Sequence, residues 1–434
     1  MSKLLRSYHG QWSLYNPKTK EYKDCSGVLH HNEDEGLQLE VYHSEEFGSV
    51  LYQTDSYDIV RGQDETGTLF TLEGLVLIKM EAFKKTTYQV RFALIGKHVE
   101  SFDTKSFKTA IVHYPWLITW ASYNRMNIDC EEKDVTTVRL DFSNDVGEIL
   151  NTNIGEMDLV LLSRLNHYQE RFNCRVEQST MLKLNSHSSS SINEYLKAIA
   201  RFTQFLSIAL YKKQFPSSIV LRAAEEEDEK YELLFKAGKS YEAKFFSVIK
   251  FNKLKDRIPS LLQKWYEGYD KISPIASYLV NSISHEGAFD SPDFLVVMQA
   301  LEGYYKRFVH VQVGKKKTKN EEGLKQLLDR FKDVDVLKEC DIDTAEVIQT
   351  RDYYTHLLPD GTKEKAITDS ENLLWLTAKC KILLLCCILD YMGMTPEEID
   401  TCCNESPVRS TLHFIKRNDE KRRRLAQASN KIDK

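Results

Sequence analysis

The sequence predicts an α+β protein in which a β-rich amino-terminal part, sandwich or barrel-like, precedes an all-α helical bundle. Between residues 27 and 185 the chain is made of short alternating or β-branched apolar runs, separated by polar or glycine-containing turns. Runs of this length and spacing are typical of antiparallel sheets that form a sandwich or a barrel. From residue 291 onward apolar side chains recur at intervals of three and four residues, which indicates amphipathic helices.

The composition is that of a folded chain with more than one domain. Its 434 residues, of which 42% are hydrophobic and 11% aromatic, can bury substantial cores and should form two or three domains. The net charge of −5 creates no positive field over the whole molecule that would attract nucleic acid or anionic lipid. Any contact with nucleic acid must therefore be local.

The cysteines and the longest apolar stretch bear on the cellular compartment. The chain has nine cysteines, and the adjacent pairs Cys386-Cys387 and Cys402-Cys403 lack the two-residue gap of metal-binding knuckles. An odd number of cysteines, scattered along the sequence, fits a chain whose thiol groups stay reduced. The most apolar stretch, residues 382–389, is much shorter than a membrane-spanning helix. We therefore expect a cytoplasmic protein with no secretion signal and no membrane span.

Changes of pattern along the chain predict its domain boundaries. We expect a recognition or sensor domain over residues 1–245 with a helix inserted near 191–212, connecting helices over 250–288, a helical domain over 289–425 and a flexible tail over 426–434. The serine-rich stretch 186–191 should interrupt the β pattern and supply hydroxyl groups that cap the inserted helix.

The helices of the carboxyl-terminal part have recognisable ends. Ser291 and Pro292 combine an N-cap residue with a proline at the first helical position. After a basic loop at 314–319, three further helices are predicted over about 322–338, 344–357 and 370–392. Pro359 disfavours the helical conformation at the residue before it, so it should end the helix at 344–357.

That helix contains residues suited to acid–base chemistry. Arg351 and His356 are separated by four residues, in the pattern R-x4-H. A second match to R-x4-6-H, from Arg91 to His98, lies in a strand-like segment and is interpreted as chance. Arg351 shares a helix stripe with Val347. Its guanidinium would thus face a neighbouring helix, where it needs an anionic partner.

The chemical roles of this pair follow from their functional groups. A fixed guanidinium can bind a phosphate and its developing charge, and an imidazole can accept or donate a proton near neutral pH. On an ideal helix, however, five residues set Arg351 and His356 about 140° apart. The reach of the arginine or a loosened helix end would have to close that gap. The alternative is a structural pair of Arg351 with Asp352 and a surface histidine.

Three stretches resemble a known family. The helical part resembles the HEPN superfamily, whose nucleases carry R-x4-6-H near the end of a bundle helix, with a polar residue after the arginine; here that residue is Asp352. The sequence VVMQALEGYYKRF at 296–308 resembles the first helix of ApeA-like HEPN domains. The sequence YHGQWSLYNP, at the start of 8–31, and GVLHH, at its end, resemble the start of the amino-terminal domain of that group.

This resemblance implies an enzyme and its site. It implies metal-independent cleavage of RNA by attack of the 2′-hydroxyl, leaving a cyclic phosphate, with Arg351 and His356 as catalytic residues. Asp352 and Glu302 are expected to support them, although a solvated Glu302 is equally compatible with the pattern. Candidate RNA-binding residues are Tyr353, which could stack on an unpaired base, and the loop residues Lys315, Lys316 and Lys317. A second basic segment, 416–424, could also follow an RNA backbone, and both basic segments could instead be merely solvated.

The resemblance also implies a biological role. We expect an antiphage defence effector whose β-rich domain senses infection, with a phage-derived trigger, and whose helical domain then cuts RNA, with tRNA as one candidate, to halt growth. One motif per chain predicts a homodimer or a dimer of dimers. No nucleotide-binding loop and no metal-ligand spacing occurs in the sequence, so neither a cofactor nor a metal is expected. The alternative is a non-catalytic ligand-binding protein whose bundle serves for dimerisation.

Overall fold

The structure is a computed structural model with two compact units. It describes residues 5–16, 21–32, 35–42, 56–81, 85–121, 126–131, 135–140, 146–169, 174–223, 229–243, 247–284, 291–310 and 320–432. The first unit consists of Met1–Ile118, Tyr123–Thr203 and Gln214–Ser240, and the second of Thr119–Ser122, Gln204–Lys213 and Tyr241–Lys434. The first is β-rich and the second is helical, so the predicted α+β fold class is confirmed.

Among the described residues, the first six strands close into an antiparallel barrel. They are β1 (Leu5–Asn16), β2 (Glu21–Asn32), β3 (Gly36–Tyr42), β4 (Ser56–Asp64), β5 (Leu69–Glu81) and β6 (Lys85–Val90). Strand β1 pairs with both β2 and β4, β3 pairs with β2 and β6, and β5 pairs with β4 and β6. Every barrel strand thus has two neighbours, which leaves no free edge within this ring.

Alternate side chains of these strands fill the barrel, as the two-residue period of a strand requires. The buried residues inside include Trp12, Leu14, Leu29, Leu37, Leu39, Val60, Phe70, Leu72 and Tyr88. The rings of Trp12 and Phe70 meet edge to face with their centroids 5.7 Å apart. A Cβ atom at Gly62 would lie 2.2 Å from Cε3 of Trp12, so a side chain at this position would displace the indole.

The sheet continues beyond the barrel. Its further strands are β7 (Phe92–Ile95), β8 (Phe107–His113), β11 (Val146–Asn153), β12 (Met157–Gln169), β13 (Cys174–Ser190), β14 (Ser218–Ala223) and β15 (Tyr231–Phe235), while β9 (Met126–Glu131) and β10 (Val135–Leu140) pair with each other. From β5 the order is β7, β15, β14, β8, β13, β12 and β11. A short helix, α1 (Leu117–Ala121), follows β8.

The serine-rich stretch was predicted to interrupt the β pattern, and this prediction is wrong for most of it. Strand β13 continues to Ser190, and the hydroxyl groups of Ser186 and Ser190 are hydrogen-bonded at 2.6 Å. The predicted capping role is confirmed for the last residue of the stretch, because Ser191 caps the next helix. Its Oγ accepts from the backbone N–H of Glu194, and the Glu194 carboxylate accepts from the N–H of Ser191. This reciprocal capping box begins the helix.

The remaining helices follow in chain order. They are α2 (Ile192–Leu210), α3 (Ile258–Ser282), α4 (Ser291–Tyr304) with a π-helical turn (Tyr305–Val309), α5 (Asn320–Arg330), α6 (Asp335–Cys340), α7 (Thr344–His356), α8 (Ser370–Tyr391), α9 (Pro396–Asn404) and α10 (Pro407–Ile432). Helix α3 lies within the range 250–288, where connecting helices were predicted, and belongs to the same compact unit as the bundle. Residues 426–432, which were predicted to belong to a flexible tail, are the last part of helix α10, and their flexibility stays a prediction.

The predicted single helix over 322–338 is divided into α5 and α6. The reason is a side chain from another helix. The carboxylate of Asp400 accepts hydrogen bonds from the backbone N–H groups of Asp335 and Val336, each at 2.9 Å. These are the first N–H groups of α6, which have no partner within their own helix. Asp400 lies on α9, three helices later in the chain. The residues around the break between α5 and α6 therefore gave no sign of it in the sequence.

Helix α8 is the centre of the helical unit. Thirteen of its residues are buried, among them the continuous stretch from Ile382 to Leu389. Helices α3, α4, α6, α9 and α10 all pack against it. By length and composition alone α8 could cross a membrane, but 72% of its most apolar window is buried within the protein. A helix that is apolar all round is expected in such a core position.

Two ion pairs between α8 and α10 provide a stability prediction. Lys379 binds Asp419 at 2.9 Å with side chains only 6% and 16% exposed, whereas Lys421 binds Glu371 at 3.0 Å with both 58% exposed. Asp419→Asn leaves a buried ammonium group without its counter-charge, and should lower the free energy of unfolding by about 2 to 3 kcal/mol. The matched change Glu371→Gln should cost less than about 1 kcal/mol, because water screens that pair. Urea denaturation measures the free energy of unfolding of both variants. An equal decrease in the two would contradict the difference in burial between the two ion pairs.

Candidate active site

Helix α7 carries the R-x4-H motif, and its two ends are fixed in different ways. Asp343 is the N-cap, and its side chain accepts from the backbone N–H groups of Ala345 and Glu346. At the other end His356 is the last helical residue, and Leu357 adopts the left-handed conformation with φ 49°. The N–H of Leu358 returns to the carbonyl of Tyr353 at 3.1 Å. The helix therefore ends three residues before Pro359, within one residue of the end that the sequence predicts.

Arg351 is held between two carboxylates. Its guanidinium lies 3.1 Å from Oε1 of Glu302 and 3.0 Å from Oδ1 of Asp352. The three side chains are between 19% and 27% exposed. The two ion pairs use different terminal nitrogens of the guanidinium, so the group is fixed in orientation as well as in position. The anionic partner that the helix stripe required is thus Glu302, from α4, together with the neighbouring Asp352.

Each of these carboxylates also contacts a lysine. Lys306 lies 3.4 Å from Oε2 of Glu302, and Lys363 lies 3.7 Å from Oδ2 of Asp352. The cluster therefore contains three cations and two carboxylates, and carries a net positive charge. A local positive site of this kind can attract a phosphate even though the chain as a whole is acidic.

Two helix irregularities lie beside the cluster. The π-helical turn directly follows α4, only three residues after Glu302, and π turns are frequent at functional sites. Pro274 lies inside α3, where its ring removes a backbone hydrogen bond. Arg307, in the π turn, donates to the backbone oxygen of Lys271 at 2.7 Å. This hydrogen bond connects the π turn of α4 to α3 near the proline.

An open cavity of about 580 Å³ lies between α3, α4 and α7. Arg351, Glu302 and Thr355 lie on its wall, together with Lys306 and Arg307 from the π turn. The volume is in the range of sites that bind small molecules. The structure therefore brings Arg351 and its supporting carboxylates to a cavity that can admit part of a substrate.

His356 is placed differently. Its side chain is exposed at the end of α7, does not line this cavity, and makes no hydrogen bond or ion pair to another described residue. The separation of about 140° between positions 351 and 356 accounts for this, because α7 stays helical up to His356. The loosened helix end that would bring the two side chains together is absent from the described chain.

Of the candidate RNA-binding residues, the structure describes Tyr353 but not the three lysines. Tyr353 lies on α7 with its ring edge to face against Tyr354, and its hydroxyl donates to Asp360 at 2.5 Å. Tyr354 is partly buried, and its hydroxyl reaches the backbone oxygen of Thr368 at 3.4 Å. Lys315, Lys316 and Lys317 lie outside the residues that the structure describes.

The second basic segment, 416–424, is largely engaged within the protein. Its ion pairs join Lys416 to Glu339, Lys421 to Glu371, Arg422 to Glu346 and Arg423 to Asp341. Arg422 stabilises the first turn of α7, because Glu346 lies there at 2.6 Å. This segment thus attaches α10 to neighbouring elements, and most of its charge is already paired.

Sequence reasoning missed several residues at the cavity. Lys306, Arg307 and Thr355 line it, and Lys363 reaches Asp352 from the loop before α8. Lys306 follows Glu302 by four residues, which is the spacing of a helical ion pair. This spacing could have indicated Lys306 from the sequence. The wall formed by α3 had no sign in the sequence, since its residues are far from the motif along the chain. Among the described residues, no group of acidic, histidine or cysteine side chains is arranged to hold a metal ion.

Comparison with protein families gives two matches. A family model described as ApeA N-terminal domain 1 matches residues 7–265, which is more than half of the chain. A second model, described as Apea-like HEPN, matches residues 295–398, and this range contains Glu302, Arg351 and His356. No curated protein and no solved structure matches the sequence.

The hydrogen bond from Tyr353 to Asp360 leads to a prediction. It raises the pKa of Tyr353 above its ordinary value, because a phenolate beside the carboxylate would lose the bond and be repelled. Asp360→Ala should therefore lower the pKa of Tyr353. The measurement is tyrosinate absorbance against pH, taken as the difference between chains with Tyr353 and matched Tyr353→Phe chains. If this difference curve is the same with and without the Asp360→Ala change, the hydroxyl of Tyr353 does not donate a hydrogen bond to Asp360.

Proposed function

Because this chain belongs to the ApeA family and ends in an ApeA-like HEPN domain, we propose that it is a metal-independent endoribonuclease of antiphage defence. The observation that carries the proposal is the placement of Arg351, which two carboxylates fix at the wall of a cavity, five residues before an exposed His356 on the same helix. A charge-binding group and a proton-transfer group are the two components that RNA cleavage requires.

The proposed reaction is transesterification within the RNA. A base removes the proton of a 2′-hydroxyl, and the 2′-oxygen attacks the adjacent phosphorus. The bond to the 5′-oxygen then breaks, and an acid supplies a proton to that oxygen. The products are a 2′,3′-cyclic phosphate and a 5′-hydroxyl. His356 transfers protons in this scheme, and Arg351 stabilises the charge that develops on the phosphate oxygens.

A second copy of the chain would complete the site. Arg351 lines the cavity and His356 does not, so one chain alone does not bring both groups to one point. Leu357, next to His356, is 86% exposed and has φ 49°, which is rare for a leucine. A second copy packed over this end of α7 would cover the leucine and bring a second motif to the same cleft. The proposed assembly is a homodimer or a dimer of dimers.

The β-rich unit is proposed to control this activity. An RNase that cuts host RNA must be restrained before infection, and we propose that a phage-derived trigger, bound by the β-rich unit, releases it in the cytoplasm to cause growth arrest. This control requires an equilibrium between a restrained and an active state of the chain. To shift the ratio of active to restrained chains from about 1:99 to 99:1, the trigger must prefer the active state by roughly 5.5 kcal/mol. A protein-sized trigger supplies that preference more readily than a small metabolite does. Transfer RNA is one candidate substrate.

The rival function is a non-catalytic ligand-binding protein with a dimerisation bundle. The presence of both Arg351 and His356, with Arg351 fixed at a cavity, favours the enzyme. The two functions differ in one measurement, which is whether the purified chain degrades RNA in EDTA.

Substitutions in the motif test the catalytic assignment. Arg351→Ala and His356→Ala should each lower the rate of RNA cleavage by about 100-fold or more, because each removes a charge-stabilising or proton-transfer group. The wild-type chain should be equally active with and without EDTA, and its products should carry cyclic phosphates.

Matched controls come from the same helical unit. His413 is an exposed histidine on α10, and Arg409 forms an exposed ion pair with Glu339. His413→Ala and Arg409→Ala should cleave RNA like the wild type. If His356→Ala or Arg351→Ala does so as well, the motif is structural and the assignment is wrong.

A further prediction concerns the pairing of chains. Leu357→Asn keeps a residue that tolerates the left-handed conformation but removes the exposed apolar side chain. It should therefore shift the chain towards monomers, measured by analytical ultracentrifugation, and lower cleavage in parallel. When an excess of His356→Ala chains is exchanged into the wild type, activity should fall by more than dilution explains. Activity strictly proportional to the wild-type chains would indicate independent sites.

A further inference from the structure

The cavity beside Arg351 has a wall that the proposed reaction does not use. Side chains of α3 and α4 form it: Pro274, Ile275, Tyr278, Leu295 and Met298. Phosphate binding and proton transfer need polar groups, so this apolar and aromatic wall is unexplained by them. Sites for small organic ligands commonly combine an apolar wall with a few polar groups that fix the orientation of the ligand.

Polar groups at this cavity are free to bind a ligand. Gln299, Thr355 and the hydroxyl of Tyr278 make no side-chain hydrogen bond to another residue in the described part of the chain. Gln299 is exposed and its amide offers both donors and an acceptor. A primary amide can therefore form paired hydrogen bonds with the edge of a nucleobase, as glutamine and asparagine do with adenine.

Cations lie at the same cavity. Lys306 is 65% exposed, and its nearest carboxylate oxygen, of Glu302, is at 3.4 Å. Arg307 is also exposed, with one terminal nitrogen bound to a backbone oxygen of α3. Together with Arg351 they place positive charge next to the apolar wall. This juxtaposition of an apolar surface that includes one aromatic ring, a free amide and cations matches the base and phosphate of a nucleotide.

We propose that this cavity is a base-binding subsite, which holds one unpaired nucleotide next to the phosphate that is cut. The proposal rests on the RNase function proposed above and specifies its substrate. The base lies against the accessible part of the wall, formed by Pro274, Tyr278 and Leu295. Gln299 contacts its edge, and Lys306 and Arg307 contact phosphates. A base in a duplex would first have to unstack and unpair, at an energetic cost. Cleavage is therefore directed to loops and single strands, with a preference for particular bases at one position.

Gly303 permits a graded test of the subsite in the full-length chain. It lines the cavity, and a Cβ atom there would lie 3.7 Å and 3.8 Å from the side-chain carbons of Ile275, which is ordinary contact. Gly303→Ala should therefore fit with a small loss of activity. Gly303→Leu places a larger side chain at the cavity lining, beside Ile275, and should narrow the cavity. It should lower kcat/KM on single-stranded RNA by about tenfold or more, mainly through KM, because binding of the base is weakened.

Gln299→Leu tests the recognition of the base separately. Its side chain is close in size to glutamine and its position is exposed, so the fold should be retained even if Gly303→Leu proves unstable. We compare cleavage rates among oligoribonucleotides that differ only in the base beside the cut. In this variant the ratios between these rates should be closer to one than in the wild type. A ratio identical to that of the wild type, or equal cleavage by the Gly303→Ala and Gly303→Leu chains, would overturn the proposal.

Direct binding separates failure of the subsite from failure of the RNase function. Binding of the four 3′-mononucleotides to the full-length chain is measured by calorimetry, without any requirement for cleavage. Binding to the wild type and Gly303→Ala, with loss in Gly303→Leu, supports the subsite even if no RNA is cut. RNA cleavage by the wild type without mononucleotide binding, and without discrimination between bases, would overturn the subsite alone.

Discussion

Burial of α8 is the constraint on which the helical unit depends. An apolar surface on every side of one helix can be removed from water only by a complete ring of neighbours. Helices α3, α4, α6, α9 and α10 form that ring, and α7 in turn packs against α4. Because α3 and α4 must lie side by side on α8, and α7 lies on α4, Glu302 reaches Arg351 and the cavity forms between these helices. The site is thus a consequence of how one apolar helix is covered.

The charges at the site follow from the same packing. A guanidinium that neighbouring helices largely shield from water requires anionic partners. Glu302 and Asp352 supply them, and Lys306 and Lys363 in turn offset these carboxylates. Both terminal nitrogens of Arg351 are engaged before any substrate binds. In the proposed reaction, an entering phosphate would therefore have to share or displace one of these carboxylates.

The α+β fold, the helices and the motif were predictable, because each has a local cause. Alternation of two residues indicated the strands, three- and four-residue spacing indicated the helices, and Pro359 and Asp343 mark the two ends of α7. Other features have remote causes. The break between α5 and α6 depends on Asp400. The pairing of segment 416–424 depends on four acids that lie in α6, α7, α8 and the loop after α6. A charge run alone does not reveal whether its partners are solvent, RNA or the protein itself.

The sequence by itself determined the R-x4-H motif of α7 and its resemblance to HEPN nucleases, since both are properties of the chain order; the catalytic role of Arg351 and His356 stays a prediction. It also offered Glu302 as a candidate partner of Arg351, with a solvated Glu302 as an equal alternative, and the ion pair at 3.1 Å decides between the two. Only the tertiary structure decided that Arg351 faces a cavity while His356 remains outside it. The physical reason is that α7 keeps its helical rotation up to its last residue, so position 356 turns away from α4. The wall formed by α3 likewise exists only once α3 and α4 pack together on α8.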